Sequence, residues 1–117
     1  MKNLATDMNL QYDQFMDLIK TAGEVDHGYA KALMEFVHQA EKPGALSTKI
    51  KELISIALSV TAHCTFCIAF HTKNAIAEGA TKQEICEAGL VAGLMGGGPA
   101  VAHLRYLIDA CDQFGAK

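Results

Sequence analysis

Residues 47–71 read STKIKELISIALSVTAHCTFCIAFH. Ser47 or Thr48 can cap a helix at the start of this stretch. Behind the cap, Ile50, Leu53, Ile54 and Ala57 fall on one helical face and Ile56 and Val60 on another. A helix that is apolar nearly all round belongs at the centre of a fold. From Leu53 to Thr72 the chain runs for twenty residues without Asp, Glu, Lys or Arg, a length that could span a bilayer. Ser55, Ser59, Thr61, His63, Cys64, Thr65, Cys67 and His71 interrupt it, and polar groups at that density are costly in lipid. A pair of buried helices accounts for the run, and no membrane span is expected.

The flanking segments carry the same helical period. Leu4 to Ala22 places Leu10, Phe15, Leu18, Ile19 and Ala22 at mixed three and four spacings, with Gly23 as the stop. Asp26 caps a second helix with Tyr29, Leu33, Phe36, Val37 and Ala40 as its apolar stripe, and Lys42-Pro43-Gly44 ends it. A fourth helix covers Cys64 to Glu78 and ends at Gly79; Thr81-Lys82-Gln83-Glu84 is a capping box that opens a fifth. The fifth runs to about Leu94. Gly96-Gly97-Gly98 then breaks the chain, and Pro99 suits the first turn of a sixth helix ending near Phe114. No segment shows strand alternation. The triple glycine lacks the preceding strand and the following Lys-Ser/Thr of a phosphate loop, so it reads as a tight helix connection. The expected fold is all-α, a bundle of about six helices forming one domain over residues 1–117.

Half of the 117 residues are apolar, enough to build a core without disulfide staples or a structural metal. Net charge is −3 with Lys and Arg scattered singly, which excludes a basic face for nucleic acid. Met1 to Leu10 has no apolar run of the kind a secretory signal needs, so a cytoplasmic location is expected. In such a reducing compartment, four cysteines read as redox-active or metal-binding rather than as a disulfide framework.

The chemistry concentrates in Cys64-Thr65-Phe66-Cys67-Ile68-Ala69-Phe70-His71, a CxxC followed by His four residues after the second Cys. Positions i and i+4 share a helical face, so the His71 imidazole can lie beside the Cys67 sulfur and activate a thiolate. Both cysteines sit near a helix N-terminus, where unpaired amides and the macrodipole lower a thiol pKa. Their spacing lets the sulfurs close a disulfide with little backbone movement. A thiolate that attacks a peroxide becomes a sulfenic acid, which a neighbouring thiol resolves before overoxidation. Glu52 lies twelve residues before Cys64, in line with Ile56 and Val60. Two readings stand for it: a carboxylate that orients His71, as the acid of a triad does, or a solvated residue beside Lys49 and Lys51.

Glu52, eleven residues, then CxxCxxxH resembles the signature of the alkylhydroperoxidase D branch of the carboxymuconolactone decarboxylase-like superfamily. Gly44-Ala45-Leu46, Lys51-Glu52-Leu53-Ile54, Glu78-Gly79-Ala80-Thr81 and Met95-Gly96-Gly97-Gly98-Pro99-Ala100 are similar to the same family's connecting segments, so the resemblance covers about Pro43 to Phe114. It implies an all-helical fold assembling into homo-oligomers, often trimers or hexamers, that reduces hydroperoxides through a cysteine pair. By that resemblance Cys67 is the peroxidatic thiol, Cys64 the resolving one, and Glu52 with His71 the proton relay. The spacing of His71, one turn beyond Cys67 and two beyond Cys64, favours the same choice. A dithiol partner, lipoylated or thioredoxin-like, would re-reduce the disulfide, and no cofactor or metal is called for. Two departures from the family bear on efficiency and reductant: the chain is shorter than the characterised peroxidases, and Phe66 stands where some of them carry a further His.

Other chemistries fit parts of the pattern. Cys64, Cys67 and His71 are permissible zinc ligands, with His63, Cys86 or His103 as a fourth, but a structural zinc site usually takes a second ligand pair from another element. A redox sensor would use the same disulfide to change assembly rather than to consume peroxide. The decarboxylase branch of the superfamily is a lyase without the cysteine pair. Cys86 and Cys111, on apolar helical faces, are expected as small core residues. His27 and His38 read as solvated, His103 as a satisfied core or interface residue, and His63 as either a tuner of the site or a cap.

Overall fold

The computed structural model describes residues 4–117. Among these residues there are five helical elements and no strand: α1 (Met8–Val25), α2 (His27–Glu41), α3 (Thr48–Thr61), α4 (Thr65–Ala77) and α5 (Lys82–Gln113). Each starts behind a side chain that accepts an otherwise orphaned amide. Asp7 takes Leu10 N–H at 3.0 Å, Asp26 takes Tyr29 N–H at 3.2 Å, Ser47 takes Ile50 N–H at 3.2 Å, and Cys64 takes Cys67 N–H at 3.2 Å. Thr81 and Glu84 exchange hydrogen bonds of 3.1 and 3.0 Å, the reciprocal capping box expected there.

α1 differs from expectation at both ends. It begins at Met8 rather than Leu4 because Asp7 supplies the cap, and it passes through Gly23 to Val25. A mid-helix glycine is tolerated because α2 comes close: a Cβ on Gly23 would lie 3.5 Å from that of Ala30. Asp26 then ends α1 and caps α2 in one residue. The chain before α1 is tied to the end of α5: Thr6 N–H reaches Asp109 Oδ2 at 2.9 Å, and Gln113 accepts from Met8 N at 2.7 Å while donating to Thr6 O at 2.6 Å.

α5 contains the expected fifth and sixth helices, joined without an intervening loop. The two helical halves meet at a kink, where Gly97 leaves the helical region at φ 70°, ψ −158°. The kink folds the element back on itself. A straight helix of that length would span about 48 Å, yet Lys82 Nζ near one end meets Asp112 Oδ1 near the other at 2.6 Å. Gly89 lets the two halves touch, since a Cβ there would lie 2.6 Å from Leu107 Cδ2.

α3 is packed by α4 and by α5, and its buried row is Glu52, Ile56, Ser59 and Val60. α4 buries Ile68, Ala69, Phe70, Thr72 and Ala75. The run from Leu53 to Thr72 is therefore two helices split at residues 62–64, as its polar content requires. By length and composition alone α5 could cross a membrane, but Gly97 breaks it. On α2 the expected stripe is largely wrong: Tyr29 and Phe36 are exposed, and only Ala30 is buried.

Candidate active site

The turn between α3 and α4 sets the geometry of the cysteines. His63 adopts φ 57°, the left-handed conformation that reverses the chain within one residue, and Cys64 N–H closes the turn onto Ser59 O at 3.1 Å. Cys64 is thereby the cap of α4, its sulfur taking an amide of the first turn. Cys64 and Cys67 are joined in a disulfide, with Cα atoms 5.2 Å apart. In the reduced state a sulfur at Cys64 gains from that amide and from the positive end of the helix.

His71 stands one turn beyond Cys67 and lines the same cavity of about 90 Å³, whose remaining walls are apolar, Phe15, Leu33, Val37 and Phe70 among them. Its Nδ1 donates to Glu52 Oε2 at 2.9 Å. Glu52 is 1% exposed, so the buried position replaces the solvated alternative. It is buried because Glu52, Ile56 and Val60 form one row facing the interior, and its charge is made tolerable by the imidazole.

A second carboxylate was not anticipated. Glu41, the last residue of α2, brings Oε1 to 3.3 Å from His71 Nδ1. The sequence did carry a signal: an acid in the last helical turn, just before Lys42-Pro43, lies at the negative end of the macrodipole, where it is disfavoured unless something holds it there. Burial and the nearby Glu52 push the Glu41 carboxyl up to about 7, with His71 opposing. Burial also raises Glu52, opposed by its contact with Glu41. Burial lowers His71, opposed by Glu41. Three ionisable groups on three helices thus share fewer charges than they would in water.

Glu41, Glu52 and His71 are also the set that could hold a divalent cation, their ligand atoms all lying within 4.8 Å of one another. The zinc set considered from sequence is not assembled: Cys64 and Cys67 are bonded to each other, and neither His63, Cys86 nor His103 joins the group that could bind metal. His63 stacks on His103 with ring centres 4.7 Å apart, and the latter's Nδ1 donates to Pro99 O at 2.9 Å. Cys111 is fully buried, which pushes its thiol up to about 12, and Cys86 is half-buried. His27 and His38 are exposed.

Residues 28–110 match the carboxymuconolactone decarboxylase family, a span that holds Glu41, Glu52, Cys64, Cys67 and His71. The chain belongs to this family. An uncharacterised protein of Cupriavidus necator is 28% identical over 113 residues, 97% of this chain and 100% of that one. Uncharacterised protein 4 in the cox locus of Paracoccus denitrificans is 40% identical over 70 residues, 60% of this chain and 63% of that one. A carboxymuconolactone decarboxylase family protein from Legionella pneumophila, solved in its apo form, superposes with a TM-score of 0.86 at 28% identity, covering 92% of this chain and 96% of that one. A family protein from Thermotoga maritima, whose description suggests involvement in an antioxidative response, gives a TM-score of 0.76 at 27% identity over 87% of this chain and 90% of its own.

Proposed function

We propose that this carboxymuconolactone decarboxylase family chain is a thiol-dependent hydroperoxide reductase of the alkylhydroperoxidase D type. The observation that carries the reading is the buried Glu52–His71 hydrogen bond of 2.9 Å, set one turn from Cys67, with the imidazole and that cysteine on walls of one apolar cavity. With Nδ1 committed to the carboxylate, Nε2 is the ring nitrogen left for the thiol, the arrangement by which an acid orients a base toward a nucleophile.

In the reduced chain, His71 takes the Cys67 proton and the thiolate attacks the outer peroxide oxygen. The O–O bond breaks, Cys67 is left as a sulfenic acid, and the departing oxygen takes a proton from His71 to leave as alcohol. Cys64 then attacks the Cys67 sulfur, water leaves, and the disulfide forms. A dithiol protein, lipoylated or thioredoxin-like, reduces it by exchange. A reducing cytoplasm would supply such a partner. The antioxidative description of the Thermotoga relative is in line with this chemistry.

The deciding experiment is turnover. Protein given tert-butyl hydroperoxide and excess dihydrolipoamide should consume many equivalents of peroxide per chain. Consumption of a single equivalent, followed by a change in assembly, would replace the reductase by a redox sensor.

A further inference from the structure

The proposed relay has one carboxylate more than it needs. Nδ1 of His71 carries one proton at most, and Glu52 at 2.9 Å already receives it, yet Glu41 Oε1 stands 3.3 Å from the same nitrogen. Its place is built rather than incidental. Thr48 Oγ1 donates to Glu41 O at 2.8 Å and Lys51 Nζ donates to Lys42 O at 2.6 Å, so the end of α2 is clamped onto the start of α3 at the residue that faces His71.

The two acids also differ in what they can reach. Both line a cavity of about 630 Å³, but Glu52 is almost wholly buried, whereas Glu41 is partly exposed and also lines a cavity of about 370 Å³ together with His71 and Lys51. Among the described residues, the ionisable groups that share those walls with this trio are His38 from α2 and Lys42 just after it, Lys51 from α3, Glu78 just after α4 and Tyr12 from α1.

We propose that Glu41 is the outer end of the relay: it holds the proton taken from Cys67 while the peroxide is attacked, and exchanges it with water in the cavities. The inference rests on the reductase reading of the same site. As Nε2 accepts the thiol proton, Nδ1 passes its own to the carboxylate pair; when the leaving oxygen needs a proton, the movement reverses. Atoms balance, and the ring never has to keep a second proton. That matters because burial holds His71 below its ordinary range, which disfavours imidazolium. The Glu41 carboxyl, pushed up to about 7, is the group suited to store a proton at neutral pH. Glu41 touches neither sulfur and so acts as a positioning residue through His71.

Glu41→Gln tests this. At pH 7 in dilute buffer, peroxide consumption should fall about 10-fold, less than the roughly 100-fold expected of a group touching the reacting atoms. The inflection near pH 7 should vanish from the rate profile, added imidazole should restore most of the loss, and Glu41→Asp should keep the inflection. A wild-type rate and pH profile in Glu41→Gln overturns the proposal, as does a loss that neither imidazole nor Glu41→Asp recovers. If the wild type consumes no peroxide, the reductase reading fails separately, and alkylation of reduced Cys67 by iodoacetamide decides this one. Its pH profile should lose a step near 7 in Glu41→Gln; an unchanged profile overturns the proposal.

Discussion

Cys64 and Cys67 sit three residues apart yet receive different help. Cys64 has the helix amide, and Cys67 shares a cavity with His71. The first contact favours a standing thiolate, suited to attack on a sulfenic acid, and the second favours proton transfer during attack on peroxide. Cys67→Ser should therefore abolish single-turnover peroxide consumption. Cys64→Ser should react once and leave a sulfenic acid on Cys67, detectable by dimedone trapping and peptide mass mapping. Trapping it on Cys64 in a Cys67→Ser chain with a full first-turnover rate would reverse the assignment. Glu52→Gln should slow the first turnover by about 10 to 1000-fold, measured by stopped flow. Stability should report the carboxylates too. Glu41, raised to about 7 from 4.5, takes up a proton on folding between those values, so the stability linked to it is complete below 4.5 and is lost as pH rises through about 7. His71, lowered, works in the opposite sense: its contribution is present above 6.5 and is lost as pH falls through the lowered value. Thermal unfolding at about pH 5 and about pH 8 should show Glu41→Gln gaining on the wild type at the higher pH.

At the scale of the helix, three starts were legible from a cap within one turn of the residue it serves, though the start of α1 behind Asp7 was not. Asp26, Ser47 and Thr81 were all readable in that way, because capping is a local bond. Stops were less so. Gly23 failed to end α1 because its effect depends on whether another helix needs the space a side chain would fill, and α2 does. The glycines at 96–98 read as a tight connection between two helices, and the structure makes that connection a kink with no loop. Gly97 is held at positive φ with ψ near −158°, a conformation essentially reserved for glycine. Gly97→Ala should cost about 1–3 kcal/mol in urea unfolding, and an undiminished midpoint would show that the reversal tolerates other geometry.

Over the whole molecule, apolar surface remains uncovered. Ile50, Ile54 and Leu58 form an outward row on α3, and Leu90, Val91, Leu94 and Met95 stand out from α5, with Leu94 80% and Met95 79% exposed. Surface of that kind in a small protein marks association. The expected outcome is a homo-oligomer by light scattering at micromolar concentration, a trimer or hexamer on the family resemblance, and a lower mass for Leu94→Glu. A stable monomer would remove this prediction.

The helical class, the caps at Asp26, Ser47 and Thr81, the break at the glycines, and the CxxC with His71 one turn on are legible in the chain alone, because each of these is written within a few residues. The sequence placed Glu52 in line with Ile56 and Val60 without deciding whether that row faced water. Only the tertiary structure made that row interior, by packing α4 and α5 on α3, and only it brought Glu41 to His71, thirty residues further along the chain. Burial and proton sharing are set by which helices meet. No local period encodes that meeting, so the cysteine motif could be read from the chain, whereas the second carboxylate became visible only where the end of α2 is clamped against α3.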